Sequence, residues 1–179
     1  AVGSSGLGSF NFEELQKDLA GKQVGVNYSL STSYARLNGN STVKDLETMM
    51  QLTYLNFTAI NKDEKNWAST MNLYKTYFEN KDNKPEAVFR DSANYILNNH
   101  SLREKPMKLE DLKDVNYDRI LQIAKERTAN AANFTFYFVG NFEEDSIKPL
   151  IEQYIASLPS QGKATETYKN VTERPTGKH

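Results

Sequence analysis

The run Phe134-Thr135-Phe136-Tyr137-Phe138-Val139 constrains the fold more than any other stretch of the chain. It is apolar on both faces and rich in aromatics. It therefore reads as a central strand, covered on both sides or flanked by neighbours, and Gly140-Asn141 stops it. Partners for such a strand are legible upstream. Val24, Val26, Tyr28 and Leu30 alternate with Gly25, Asn27 and Ser29, the period of a half-buried strand. Ser31-Thr32-Ser33 makes a turn, and Tyr34 to Asn38 alternates again as the second arm of a hairpin ended by Gly39.

Most of the remainder has helical spacing. Asn11 to Ala20 places Phe12, Leu15 and Leu19 on one face, and Gly21 supplies a stop. Thr42, with Asp45 as a capping-box variant, opens a long helix striped by Val43, Leu46, Met50, Tyr54 and Phe57 and widened by Met49 and Leu52. A second runs from Asp63 to Phe78 on Trp67, Met71, Tyr74 and Phe78. A third starts at Pro85, a favoured first helical residue, and uses Val88, Phe89, Ala93, Ile96 and Leu97. After Pro106 come a short helix over Leu109 to Val115 and a longer one from Tyr117 to Thr128, with Ile120, Leu121 and Ala124 inward. The last helix follows Glu143, Glu144 and Asp145, whose charges favour a helix N-terminus. Ile147, Leu150, Ile151, Tyr154, Ile155 and Leu158 form its stripe, and Pro149 requires a start near Asp145. The order predicts an α+β fold: a small, mainly antiparallel sheet with helices on one face.

Composition excludes several functions. The 179 residues suffice for one ordinary domain, and a net charge of −1 with interspersed Lys, Asp and Glu gives no pull toward nucleic acid. No apolar run approaches the roughly 20 residues of a membrane span. The absence of cysteine removes a thiol nucleophile, a Cys-type zinc site and disulfides. The ends, Ala1 to Ser9 and Ser160 to His179, read as a loop entered partway and a linker, so the chain is expected to be a piece of a longer one: a single module over 1–160 and a linker over 161–179.

The chemistry-bearing residues are sparse. His100, in a polar Asn98-Asn99-His100-Ser101 loop, and His179 are the only histidines, too far apart for a helical zinc pair. Neither H-E-x-x-H nor H-x-x-E-H occurs, and no G-x-S-x-G or phosphate-binding glycine loop is present. Glu13-Glu14 and Glu143-Glu144-Asp145 fall in first turns of helices, where capping explains them. The N-x-[ST] triplets at Asn40, Asn56 and Asn133 are read as chance. No catalytic, metal-ligating or substrate-binding residue is assigned.

An ordered set of short stretches nevertheless resembles the pitrilysin/insulinase family of inverzincin zinc metallopeptidases. It comprises Gly6-Leu7-Gly8-Ser9-Phe10, Glu14-Leu15, Leu19-Ala20-Gly21-Lys22-Gln23-Val24, Gly39-Asn40-Ser41 followed by Asp45-Leu46-Glu47, Phe136 to Asn141, and Ile151 to Pro159. The likeness is to large bacterial members with four homologous α+β domains, built like the mitochondrial processing peptidase. It implies a non-catalytic domain, truncated at its N-terminus, that walls a peptide-enclosing chamber. The zinc, its H-x-x-E-H ligands and the water-activating Glu would lie in a catalytic half, on the same chain or a partner subunit. The implied partners are that half and a peptide substrate, with neither nucleic acid nor a membrane span, and the implied location is a bacterial periplasm or cell envelope. Two other readings stay open: a non-enzymatic interaction protein on the same fold, and an unrelated carboxylate-dependent hydrolase with an acidic cleft. Truncation further implies a sheet edge unpaired by this chain and a tendency to self-associate. Elemental analysis of the dialysed chain is expected to find no stoichiometric zinc, and peptide assays no cleavage. One tightly held zinc per chain would overturn the non-catalytic reading.

Overall fold

The computed structural model describes residues 2–31 and 34–169. The order of elements is β1 (Gly6–Leu7), α1 (Phe12–Asp18), β2 (Val24–Leu30), β3 (Ala35–Ser41), α2 (Leu46–Thr58), β4 (Ile60–Asn61), α3 (Glu64–Lys81), α4 (Pro85–Leu97), α5 (Tyr117–Thr128) and α6 (Glu144–Leu150). A 3-10 turn covers Leu109–Asp114, and a π turn over Ile151–Ile155 continues α6. The α+β expectation holds: β1 pairs with β4 and β2 with β3, both antiparallel, and helices account for most of the rest. The chain divides into two compact units, Ala1–Trp67 with Tyr117–Thr167, and Ala68–Asn116 with the residues from Tyr168. Among the described residues, no helix is long and apolar enough to cross a membrane.

In the first unit, local chemistry sets the element ends. Asn11 and Glu14 form a reciprocal capping box that starts α1, and Gly21, at φ +84°, turns the chain into β2. The hairpin register pairs Val24 with Ser41 and Leu30 with Ala35. Its second arm does not end at Gly39 as expected. A Cβ there would lie 3.0 Å from the Met49 sulfur, so Gly39 lets β3 lie close against α2 and is no strand stop. Thr42 and Asp45 also act differently from a simple cap. The Thr42 hydroxyl and the Gln23 N–H both donate to Asp45 Oδ2, at 3.0 and 2.9 Å, which ties the start of α2 to the base of the hairpin. The helix begins only at Leu46, and Val43 stays outside it and exposed. These two bonds, the Gln23 one foremost, hold the Asp45 carboxyl below its ordinary range.

Tyr28, Ile60, Tyr117, Leu121 and Ala124 form the core of this unit, with Leu7, Ala35, Leu37 and Trp67 packed against it. At its centre the Tyr117 hydroxyl lies 2.9 Å from Ser5 Oγ and accepts the Asp63 N–H at 3.1 Å. Asp63 in turn accepts the Phe12 N–H on Oδ2 and the Asn66 N–H on Oδ1, each at 2.9 Å. The Trp67 ring stacks on Tyr117 with centroids 4.4 Å apart.

The Phe134–Val139 segment is the main departure. It joins no strand among the described residues, and Tyr137 and Val139 are 84 % and 97 % exposed. Its aromatic composition asks for neighbours on both sides, and these residues provide one: Phe57 of α2, whose ring lies 4.9 Å from Phe134 and 5.9 Å from Phe136. In α6, Pro149 sits in the second turn, not the first, and a π turn follows it, where Ala156 N–H donates to the Ile151 carbonyl.

The second unit contains most of α3, all of α4 and the 3-10 turn. Pro85 is the first residue of α4, as its chemistry demands. Lys81 near the end of α3 pairs with Asp91 of α4. The apolar stripe expected to be inward on α4 is instead largely outward: Phe89 is 75 % exposed, and Val88, Ile96 and Leu97 are exposed too, whereas Ala87 is buried. On α3, which buries no residue fully, Leu73, Tyr74 and Tyr77 are exposed. The periodicity was that of a covered helix, and these residues contain no cover for it.

Tyr117→Phe removes the hydroxyl that joins Ser5 to Asp63 while leaving the ring stack. It is expected to lower unfolding free energy by about 1–3 kcal/mol, because Asp63 N–H loses its partner in a buried setting. Urea denaturation followed by circular dichroism measures this.

Candidate functional groove

A hollow of the first unit lies between β3 and the unpaired aromatic segment. It has a volume of about 550 Å³ and runs along Tyr34–Gly39 on one side and 133–138 on the other. Met49, Thr53 and Phe57 of α2 line it as well. Tyr34 lies at its edge with the Arg36 guanidinium 4.9 Å over the ring.

The backbone of β3 gives this groove its chemistry. Ser31 N–H donates to the Tyr34 carbonyl and Thr42 N–H to the Gln23 carbonyl, which brackets the hairpin at both ends. Bonded pairs alternate along an antiparallel ladder, so Arg36, Asn38 and Asn40 spend their N–H and C=O groups on β2. Ala35, Leu37 and Gly39 then present theirs at the opposite edge. In the aromatic segment, Phe134 has extended backbone and its N–H donates back to the Ala131 carbonyl, and beyond it Phe136 and Phe138 are half-buried. The alternation of burial along 134–139 is that of a strand lying with one face on a helix.

The groove ends next to a polar anchor. Asn130 Nδ2 donates to the Lys163 carbonyl at 3.0 Å, and its Oδ1 accepts the Gln161 N–H at 2.9 Å. Asn133 Oδ1 accepts the Thr165 N–H at 2.7 Å. Residues 161–166 are thereby strapped along the start of the aromatic segment, and Arg127 pairs with Glu166 at 2.8 Å. Neither asparagine carries chemistry in the sequence reading, which saw Asn133 only as a chance glycosylation triplet.

The acidic groups behave as structural anions. Glu13 faces Lys17 and Lys65, whose hydrogen bonds pull its carboxyl down to about 2, and Glu14 completes the α1 capping box. Glu144 and Asp145 occupy the first turn of α6. Among the described residues, no three His, Asp or Glu side chains converge to hold a metal ion. His100, at φ +56° in the second unit, packs edge-on against Tyr95 with centroids 4.9 Å apart, and His179 lies outside the described residues. Nothing in these groups fits a zinc site or an acid–base pair, so no hydrolytic step is derived through them.

Residues 114–179 match the family model of the Peptidase M16 inactive domain. A curated zinc protease PQQL-like protein of Arabidopsis thaliana is 25% identical over 116 residues, which is 64% of this chain and 12% of that protein. The periplasmic protease PqqL from Escherichia coli superposes with a TM-score of 0.79 at 22% identity, over 98% of this chain and 19% of its own. The ferredoxin protease FusC, solved with Arabidopsis ferredoxin, gives 0.73 at 17% identity, over 96% of this chain and 19% of that one. A protease from Helicobacter pylori gives 0.67 at 14% identity, over 97% of this chain and 42% of that one. The chain thus spans less than half the length of each of these relatives.

Phe57 joins the groove to the core, so Phe57→Ala is expected to cost about 3–5 kcal/mol, from the lost ring contacts and the cavity left behind. Tyr137→Thr, at an exposed position, is expected to stay within about 0.5 kcal/mol of the parent. Thermal unfolding of the two variants side by side tests this ordering.

Proposed function

We propose that this chain, a non-catalytic domain of the M16 zinc peptidase family, forms part of the wall of a chamber that encloses a peptide or protein substrate. The zinc, its ligands and the peptide-bond chemistry belong to a catalytic half, on the same polypeptide or on a partner subunit. One observation carries the reading: the chain has the fold of known proteases over nearly its whole length, yet it contains no H-x-x-E-H motif. A peptidase fold without its ligand set can contribute surface and shape but no Lewis acid.

Two further features support it. The outward apolar faces of α3 and α4 form the kind of surface that a neighbouring domain covers. The relatives, of whose length the chain is a fraction, include a periplasmic protease and one solved with a protein bound. A location in the periplasm or cell envelope is proposed on the same kinship. Residues 161–166 are strapped to the rest of the module by Asn130 and Asn133.

The test is reconstitution. A catalytic half carrying H-x-x-E-H is assayed for cleavage of a fluorogenic peptide alone, with this chain added, and with this chain after photo-crosslinking to a peptide. Cleavage is expected to rise at least about tenfold on addition, the equivalent of about 1.4 kcal/mol of transition-state stabilisation, with crosslinks mapping to this chain. Unchanged cleavage with no crosslink would refute the enclosure role and favour a non-enzymatic interaction protein.

A further inference from the structure

The β2–β3 hairpin has a second face, turned away from α2. Its register sets Arg36 opposite Ser29, Asn38 opposite Asn27 and Asn40 opposite Gly25. Alternation puts these residues on one side and Tyr28 and Leu37 on the other, and Asn27, Ser29, Arg36, Asn38 and Asn40 are all exposed. The carboxamides of Asn27, Asn38 and Asn40 make no hydrogen bond among the described residues. Arg36 meets no carboxylate among them either, and its guanidinium lies over the Tyr34 ring. The charge of this face is unlike that of the rest of the chain. Between Val24 and Ser41 Arg36 is the only charged residue, whereas 25% of the whole sequence is charged.

We infer that this face holds an extended peptide with a free C-terminal carboxylate, its main chain pairing with the carboxamides and its carboxylate with Arg36. The spacing fits. Side chains two apart on a strand repeat at about 6.8 Å, and so do alternate peptide groups of an extended chain. A peptide lying along β3 therefore meets Asn40, Asn38 and Arg36 in one register. A carboxamide both donates and accepts, so each can take the N–H and C=O of the peptide backbone, and the planar guanidinium of Arg36 can take both carboxylate oxygens. Charge narrows the ligand further. With one cation and no anion of its own, the hairpin favours a neutral chain ending in a single negative charge over a basic one. Because the main chain is what the face reads, the side chains of the peptide matter little. Peptide as the ligand class rests on the chamber-wall reading; the place of the carboxylate rests on the geometry of the hairpin.

The test titrates the 179-residue chain with N-acetylated Ala-Thr-Ala-Thr-Ala, as the free acid and as the C-terminal amide, and follows the asparagine side-chain amide signals by NMR. The free acid is expected to shift the signals of Asn27, Asn38 and Asn40 saturably. The amide is expected to bind about threefold more weakly, the scale of an exposed ion pair. Arg36→Gln is expected to erase that difference and Arg36→Lys to keep part of it. Asn38→Thr is expected to weaken both peptides alike, and methylation of alternate peptide nitrogens to weaken binding about tenfold. Circular dichroism checks that each variant keeps its fold, and the comparison of acid with amide needs no variant. Equal binding of acid and amide by the parent chain would overturn the place of the carboxylate. Unmoved asparagine signals up to about 10 mM peptide would overturn the face as a whole. Maltopentaose shifting those signals where the peptides do not would make this a sugar-binding surface and overturn the peptide. The chamber-wall reading fails separately. Peptide bound here with cleavage by the catalytic half unchanged refutes that reading alone. Stimulated cleavage with no peptide bound here refutes this face alone.

Discussion

One buried hydroxyl holds the first unit together. Tyr117 begins α5, and its Oη meets Ser5 from the N-terminal loop and the Asp63 N–H from the start of α3. Asp63 then fixes the first N–H of α1 through Phe12, so segments distant in sequence start from one point. Water could serve none of these groups there, since Tyr117 is only 5% exposed. Satisfaction of each group therefore depends on the others being in place. The short β1–β4 pairing, Gly6 with Asn61 and Leu7 with Ile60, lies immediately beside this junction and is too small to persist by itself. The polar cluster positions it, and the apolar cluster of Tyr28, Ile60, Leu121 and Ala124 supplies the burial.

Sequence reading was strongest where one local interaction decides an element's end. Gly21 in the left-handed region and Pro85 opening α4 are of this type, and so is the β2 alternation from Val24 to Leu30. It was weaker where a neighbour decides. Gly39 resembles a stop in one dimension, but its missing side chain is a packing adaptation to Met49. Thr42 and Asp45 resemble a cap, but Asp45 is engaged by Gln23, 22 positions away in sequence, and the helix starts later. The outward stripe of α4 shows that periodicity marks which face is apolar and not what covers it.

The groove was only half legible. Its signal was the aromatic run at 134–139, whose two-sided character implies neighbours. The reading assigned those neighbours within the sheet, whereas the structure leaves an edge of the run and the facing edge of β3 unpaired. No motif search could find such a place, because its reactive parts are main-chain N–H and C=O groups that every residue type carries. The Asn130 and Asn133 straps escaped for a related reason: an asparagine's role depends on which backbone comes within 3 Å, and that is decided by tertiary structure.

The stack of Trp67 on Tyr117 has an optical side. Trp67 is the only tryptophan in the chain, and its indole lies nearly parallel to the phenol ring, at 6°. Emission excited at the red edge of the spectrum thus originates from a single site, at the junction where Ser5, Asp63 and α5 meet. Quenching and wavelength of that one emitter register the state of the junction directly, free of background from other indoles. The chain carries an intrinsic reporter of its own first unit.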